Sequence, residues 1–380
     1  MGESEPRPVP HDESGPDLFT WSPPRVKASS NPVVWNHSVT LVDDPTRPGE
    51  PPADVAIDIA VQRSAADRVY RGVSYAAGST TLVIMALIGL FLVVRSVPAF
   101  RHMGWNFFTE TRWLPTNVGG RFGVAALLLG TGVIAVTALV FAVPLSIGCA
   151  LFVTEYAPRR IRRALTSLID LLAAVPSLIY GIWGASVLQG QVVHVSKFLA
   201  DHLSWFPPFH VTSQNPNGGT TLTDFASSAF LASIVVALMI LPICTAVMRE
   251  VFSQAPPGEK EGALALGGTR WGVIRDVVLP FGRGGMIGGS MLGLGRALGE
   301  TVAVALIIAP TDRVHDLLQI LKTGGNSIAA TIARSWSESQ GVATSALMAA
   351  GLVLFAVTLV VNSLASSIVA RSRSGAATEI

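Results

Sequence analysis

Arg296 and Glu300 are the only ionisable residues in the glycine-rich, otherwise apolar run 285–309. An ionisable group at the centre of a membrane helix costs about 2.5–3.5 kcal/mol even on lenient insertion scales, so both side chains are expected to face the interior of a bundle. With about 3.6 residues per turn, their spacing predicts one shared helix face and a distance short enough to pair. Two chemistries fit that pair. It can be a self-neutralising ion pair that fixes one packing arrangement. Alternatively, Arg296 meets a translocating anion, while Glu300 holds the guanidinium when the path is empty and competes with the anion so that it leaves. A planar guanidinium suits a tetrahedral oxyanion because it donates two parallel hydrogen bonds. Thr301 is the next polar residue on the same path. The segment GLGRALG is not a nucleotide loop, because it lacks the Gly-Lys-Ser/Thr ending and a preceding soluble strand. Gly285, Gly289 and Gly293 recur at every fourth position, as do Gly295 and Gly299, and this spacing permits close helix approach.

This span is preceded by a polar segment, 249–284, which a membrane helix delivers and a membrane helix receives. A helical pattern begins at Gly258 and is broken at Gly267 and Gly268. A second short amphipathic stretch then runs from Trp271 to Leu279 and ends at Pro280. Two short helices joined by a glycine hinge make a knob that can dock in a cleft of another protein. The spacing resembles the coupling loop of ABC importer permeases, in which a Glu-Ala-Ala triplet is followed at fixed intervals by Gly, Ile and Leu-Pro. Glu261, Ala263, Gly267, Leu279 and Pro280 match that pattern. Gly262 stands where the pattern has Ala and Val277 where it has Ile; the glycine is expected to loosen the first helix by roughly 1 kcal/mol.

The remaining elements must position these residues in a bilayer. Half of the 380 residues are apolar and 14% are charged, with a mean hydropathy of +0.50, which defines a polytopic, all-α membrane protein. The net charge of +2 makes no case for nucleic acid. Cys149 and Cys244 lie in apolar spans, so neither a disulfide framework nor a metal site is expected. His194, His202 and His210 fall on a predicted loop without metal-ligand spacing.

Residues 1–62 are rich in Pro, Asp, Glu and Ser and read as a disordered cytoplasmic tail rather than a secretory signal. The permease domain then occupies 63–373, followed by a short tail at 374–380. Its predicted spans, each long enough for a hydrocarbon core of about 30 Å, are 75–97, 124–153, 165–188, 229–247, 285–309 and 343–368. Pro144 is expected to kink the second span, and Pro176 the third. Ser177 and Tyr180 on that third span are candidates for the polar path. Pro176 leaves a carbonyl that Ser177 or a neighbouring span must satisfy. The cluster Arg159, Arg160, Arg162 and Arg163 places its end of the bundle inside, and Asp170 is expected to pair with it. The resulting arrangement has both termini cytoplasmic.

GLGRALGETVAV after the loop, together with LLAAVPSLIYGIWG at 171–184, is similar to the C-type permease subunit of the bacterial high-affinity phosphate importer, the Pst system. The likeness covers about residues 75–370. It implies a type I ABC importer permease fold of about six transmembrane helices in the plasma membrane and inorganic phosphate as substrate. It also implies Arg296 and Glu300 as the charged pair of the path. The implied partners are a homologous A-type permease, two ATPase subunits, an external phosphate-binding protein and membrane lipid. No cofactor is expected on this chain. Concentrating an anion against the membrane potential costs about 2.3 kcal/mol per charge per 100 mV, so ATP-Mg is expected to be spent in a partner ATPase acting through the 259–280 loop. The chain is thus read as a transporter subunit rather than an enzyme. A sulfate or molybdate permease, or a phosphate-sensing scaffold that moves nothing, remain the alternatives.

Overall fold

The protein is described by a computed structural model that covers residues 65–118, 120–211, 220–311 and 318–373. The predicted tails, 1–62 and 374–380, lie outside the described residues.

The architecture is helical. α1 runs over Ala65–Met103 and is followed by a single turn, α2, at Asn106–Thr109. A small hairpin comes next, with β1 at Trp113–Pro115 antiparallel to β2 at Gly120–Phe122 and Trp113 opposite Phe122. The hairpin seats Phe122 edge-on to both Phe107 and Trp113. Glu110 ties the hairpin's two ends together. Its carboxylate accepts the backbone N–H groups of Arg112 and Thr111 and sits 3.4 Å from the Arg121 guanidinium. The Arg112 backbone bond, more than any other contact, holds that carboxyl below the usual carboxylate range.

α3, Ala125–Leu151, passes through Pro144 and continues as a π-helical stretch over Phe152–Tyr156. α7, Ala229–Ser253, is the central helix. It packs against α3, against α4 at Arg159–Ala173 and against α11 at Arg283–Gly299. Its start is fixed by Ser228, whose hydroxyl accepts the Leu231 N–H at 3.3 Å. The last helix, α14, runs over Val342–Arg373 against α11.

Among the described residues, four helices are long and apolar enough to cross a membrane, and two bent pairs raise the number to six if each pair counts as one span. One of these bends moves an expected boundary, and the other, of 66°, falls between Phe281 and Arg283, ahead of the predicted fifth span. In the predicted third span, 165–188, the chain turns by 88° between α4 and Ser177. The continuous helical run after the turn is α5 at Ser177–Trp183, a π-helical stretch at Gly184–Leu188 and α6 at Gln189–His202. Val192, Val193, Ser196 and Ala200 give α6 a buried face, so the loop expected from Gln189 is helix. His194 and His202 therefore lie on α6. The cause is Pro176, which has no N–H to donate and disfavours the helical conformation of the residue before it. Asp170 reaches Arg249 on α7, at 3.9 Å, rather than the arginines of its own helix. The predicted fifth span, 285–309, is also interrupted: α11 ends at Gly299 and α12 occupies Val302–Ile307.

The glycine spacing in α11 has the expected consequence. A Cβ at Gly285 would lie 2.5 Å from the Val251 side chain, and one at Gly293 would lie 2.6 Å from the Cys244 sulfur. The α7–α11 seam is therefore too tight for alanine, and the Cys244 thiol donates across it to the Gly289 carbonyl at 3.2 Å. Gly299 belongs to no such seam, because a Cβ there would meet nothing within 4 Å. Beyond α12, the chain returns across the bundle end through α13, Ile328–Ser335. The Ile328 N–H donates to the Thr131 hydroxyl of α3 at 3.0 Å.

Overpacking this seam makes a direct test. Gly293→Leu is expected to lower stability by about 1–3 kcal/mol. Gly299→Leu is expected to have a much smaller effect, read as thermal unfolding of the detergent-solubilised complex.

Candidate functional site

The sequence places five path candidates on two spans, and the structure brings the two spans together at their breaks. α5 packs on α12 so closely that a Cβ at Gly181 would sit 2.8 Å from the Ala303 Cα. Tyr180 lies beside that contact. Its hydroxyl donates to the Leu172 carbonyl at 3.1 Å. Leu172 is the residue whose carbonyl the absent Pro176 N–H would have bonded, so the phenol supplies a donor that the ring removes. Ser177, the other residue named for this purpose, opens α5 directly after Pro176.

Glu300 does not pair with Arg296. Helix α11 stops one residue earlier, Glu300 is extended at φ −66° and ψ 125°, and no ion pair joins the two side chains among the described residues. Glu300 is instead buried, at 7% exposure, and its carboxylate accepts the Ala303 N–H at 3.2 Å. It caps the start of α12, where the unpaired N–H groups and the helix dipole favour negative charge. Thr301 completes the corner by donating to the Gly299 carbonyl at 3.0 Å. The expectation of a shared helix face fails because the chain leaves the helix between the two residues.

Arg296 is thereby left uncommitted. It is exposed on this chain, while its neighbours Ala297 and Leu298 are buried. A guanidinium within a membrane span is too costly to face lipid, so this surface meets water or another polypeptide. Large apolar side chains are also exposed on α5, α11 and α12, among them Leu178, Ile182, Leu292 and Leu306.

The coupling segment has the two-helix form expected of it. α8 spans Pro257–Ala265, α9 spans Arg270–Val273, and a π-helical stretch at Ile274–Val278 leads into the short α10 at Leu279–Phe281. α8 ends with paired bonds, from the Gly267 N–H to the Leu264 carbonyl and from the Gly268 N–H to the Ala263 carbonyl, each 3.0 Å long. That termination needs a left-handed residue, and Gly267 has φ +86°. The Thr269 hydroxyl then caps α9 by accepting the Gly272 N–H at 3.1 Å. Ala263 and Leu279 pack toward Met248, Phe252, Val273 and Val278, whereas Glu261 and Pro280 are exposed. Leu264, Leu266 and Trp271 project outward, with Leu266 at 91% exposure. The knob is thus anchored on one side and apolar on the other. Sequence reasoning missed its strongest anchor, the ion pair of Lys260 with Glu155 on the π-helical end of α3 at 2.7 Å. The two residues are 105 positions apart, and no local pattern marks them.

A bundle with a glycine seam, two broken spans meeting at a guanidinium, and a protruding helical loop defines an integral membrane permease component. Residues 142–374 match the family model of the binding-protein-dependent transport system inner membrane component. The chain is 43% identical over 325 residues to phosphate transport system permease protein PstC 2 of Mycobacterium tuberculosis, covering 85% of this chain and 97% of that protein. It is 40% identical over 280 residues to PstC of Haemophilus influenzae, covering 73% and 85% respectively. The fold is also that of a chain in the crystal structure of a bacterial alginate ABC transporter in complex with alginate pentasaccharide-bound periplasmic protein. That comparison gives a TM-score of 0.52 at 18% identity and covers 82% of this chain and 98% of the other. The chain belongs to the family of binding-protein-dependent transport system inner membrane components, among the PstC permeases.

The capping role of Glu300 separates from a charge-pairing role by substitution. Glu300→Gln keeps an acceptor for the Ala303 N–H and is expected to stay close to wild-type stability. Glu300→Ala is expected to lose about 0.5–2 kcal/mol, measured by thermal unfolding of the assembled complex. Equal losses in both variants would show that the charge matters more than the cap.

Proposed function

We propose that this chain is the membrane permease subunit of an ATP-driven importer that moves inorganic phosphate into the cell by alternating access. The observation that carries the reading is the Arg296 guanidinium, held at the meeting point of two broken spans with no carboxylate committed to it. The substrate assignment is supported by its likeness to the PstC permeases.

The reading orients the coupling loop, the arginines of α4 and both termini toward the cytoplasm, since basic residues are retained on that side. A homologous permease covers the surface around Arg296, so that the path runs between the two subunits. A pair of ATPase subunits binds the coupling knobs, taking Leu264, Leu266 and Trp271 into a cleft and using ATP-Mg that this chain does not hold. An external phosphate-binding protein delivers the anion to the opposite end.

Each part of the chain then has a physical task. Arg296 binds an oxyanion through two parallel donors and lets it go when the bundle rearranges. Glu300 fixes the corner from which α12 starts and so sets where Arg296 stands. Tyr180 closes the backbone at the facing break. Motion of the knob reaches α3 and α7 through the packed cluster around Phe252 and through Lys260–Glu155.

Arg296→Gln is expected to abolish phosphate uptake in proteoliposomes while the complex still assembles. Failure to assemble would assign Arg296 to packing instead. Gly267→Leu places a side chain in the left-handed region, at a cost of about 1–2 kcal/mol, and is expected to leave ATP hydrolysis running while uptake falls several-fold. Unchanged uptake at normal protein levels would remove the hinge from the mechanism.

A further inference from the structure

A cavity of 380 Å³ lies at the coupling-loop end of the bundle, on elements other than those that carry Arg296. Its walls come from the π-helical end of α3, from α4, from the last turns of α7 and from α8. Three cations line it, Arg162, Arg249 and Lys260, together with the carboxylates Glu155 and Glu250. Lys260 neutralises one of these carboxylates, whereas the other keeps its charge. Glu155 is held by Lys260 at 2.7 Å, and Glu250 accepts from the Gln254 side-chain amide at 3.3 Å.

The guanidinium donors are not fully used. Arg162 spends one nitrogen on the Thr154 carbonyl at 2.6 Å. Arg249 brings Nη2 no closer than 3.9 Å to the Asp170 carboxylate, beyond hydrogen-bond reach, and its Nη1 is buried with no hydrogen-bond partner. Buried donors are nearly always satisfied, and an orphaned charged one is especially costly. Arg159, Arg160 and Arg163 on the first turns of α4 are exposed and add positive potential near the same wall. The Thr166 and Ser253 hydroxyls also line the space. Two forked cations with free donors, beside hydroxyls and with one of the two local carboxylates neutralised by Lys260, recognise an oxyanion such as a phosphate group better than a neutral group.

We infer that this cavity is a second anion site, on the coupling-loop face, that binds a phosphate group through Arg162 and Arg249. The inference goes beyond import itself and does not need Arg296. The phosphate group comes either as inorganic phosphate or as the headgroup of an anionic phospholipid. Either occupant would bridge α4 and α7 directly beneath α8, and so brace the base of the knob.

The test is equilibrium binding of radiolabelled inorganic phosphate to the assembled transporter, carrying Arg296→Gln so that the path does not contribute, in phosphatidylcholine nanodiscs without the external binding protein. Saturable binding is expected, with a loss of affinity of tenfold or more in both Arg249→Gln and Arg162→Gln. Two variants are used so that poor assembly of one does not decide the result. In nanodiscs containing phosphatidylglycerol, loss of phosphate binding together with lipid retention that Arg249→Gln abolishes would assign the site to a headgroup. Binding of phosphate and retention of phosphatidylglycerol that are both indifferent to the two substitutions would overturn the site. Phosphate uptake by the otherwise wild-type transporter is read separately, so failure of this inference and failure of the transport reading give different results.

Discussion

Within a bilayer no water is available to satisfy a broken helix, and that constraint governs the centre of this protein. Two spans are interrupted, and the chain closes each interruption with a side chain of its own. Tyr180 adds a hydrogen bond to the Leu172 carbonyl, which Pro176 cannot reach and which otherwise accepts only the Val175 and Ala174 N–H groups, and Glu300 accepts from the start of α12. The two breaks pack against each other through Gly181 and Ala303. The charge at the junction is then divided unevenly. The carboxylate is engaged by the backbone, and the guanidinium has no ion-pair partner among the described residues.

The rest of the fold connects that junction to the coupling segment through packed contacts. α11 carries Arg296 near one end and joins the coupling segment at the other, and its glycines seat it against α7 with no side chain between. α7 in turn shares a packed cluster with the coupling segment through Met248 and Phe252. Lys260–Glu155 adds a largely desolvated ion pair between α8 and α3, of the kind that is strongly destabilising to break from one side. A displacement of the knob therefore has stiff connections to two spans, whereas its exposed face at Leu264, Leu266 and Trp271 is free to engage a partner.

Much of this was legible in the sequence because it depends on short-range periodicity. The glycine seam, the hinge at Gly267 and the long apolar helices follow from residue spacing alone. The family likeness also rests on local runs, GLGRALGETVAV and LLAAVPSLIYGIWG. The spacing rule failed at Glu300, where it assumes that a helix continues. Glu is not a favoured capping residue, and no proline marks the corner, so nothing local announced that α11 would end at Gly299. Pro176 did announce a break, but hydropathy could not show a turn of 88° or that the helix resumes past Gln189. Asp170 was expected to meet the arginines of its own helix and finds Arg249, and Lys260 with Glu155 is a contact between remote segments. Such pairings come from tertiary packing and have no one-dimensional signature.

The central claim is that Arg296 and Glu300 act separately, one on the anion and the other on the backbone. A double-mutant cycle on the unfolding free energy of the assembled complex, using Arg296→Gln and Glu300→Ala singly and together, measures their interaction directly. The account predicts effects that add to within about 0.5 kcal/mol. A coupling energy of about 1 kcal/mol or more would mean that the two side chains form a stabilising pair after all, and would contradict it.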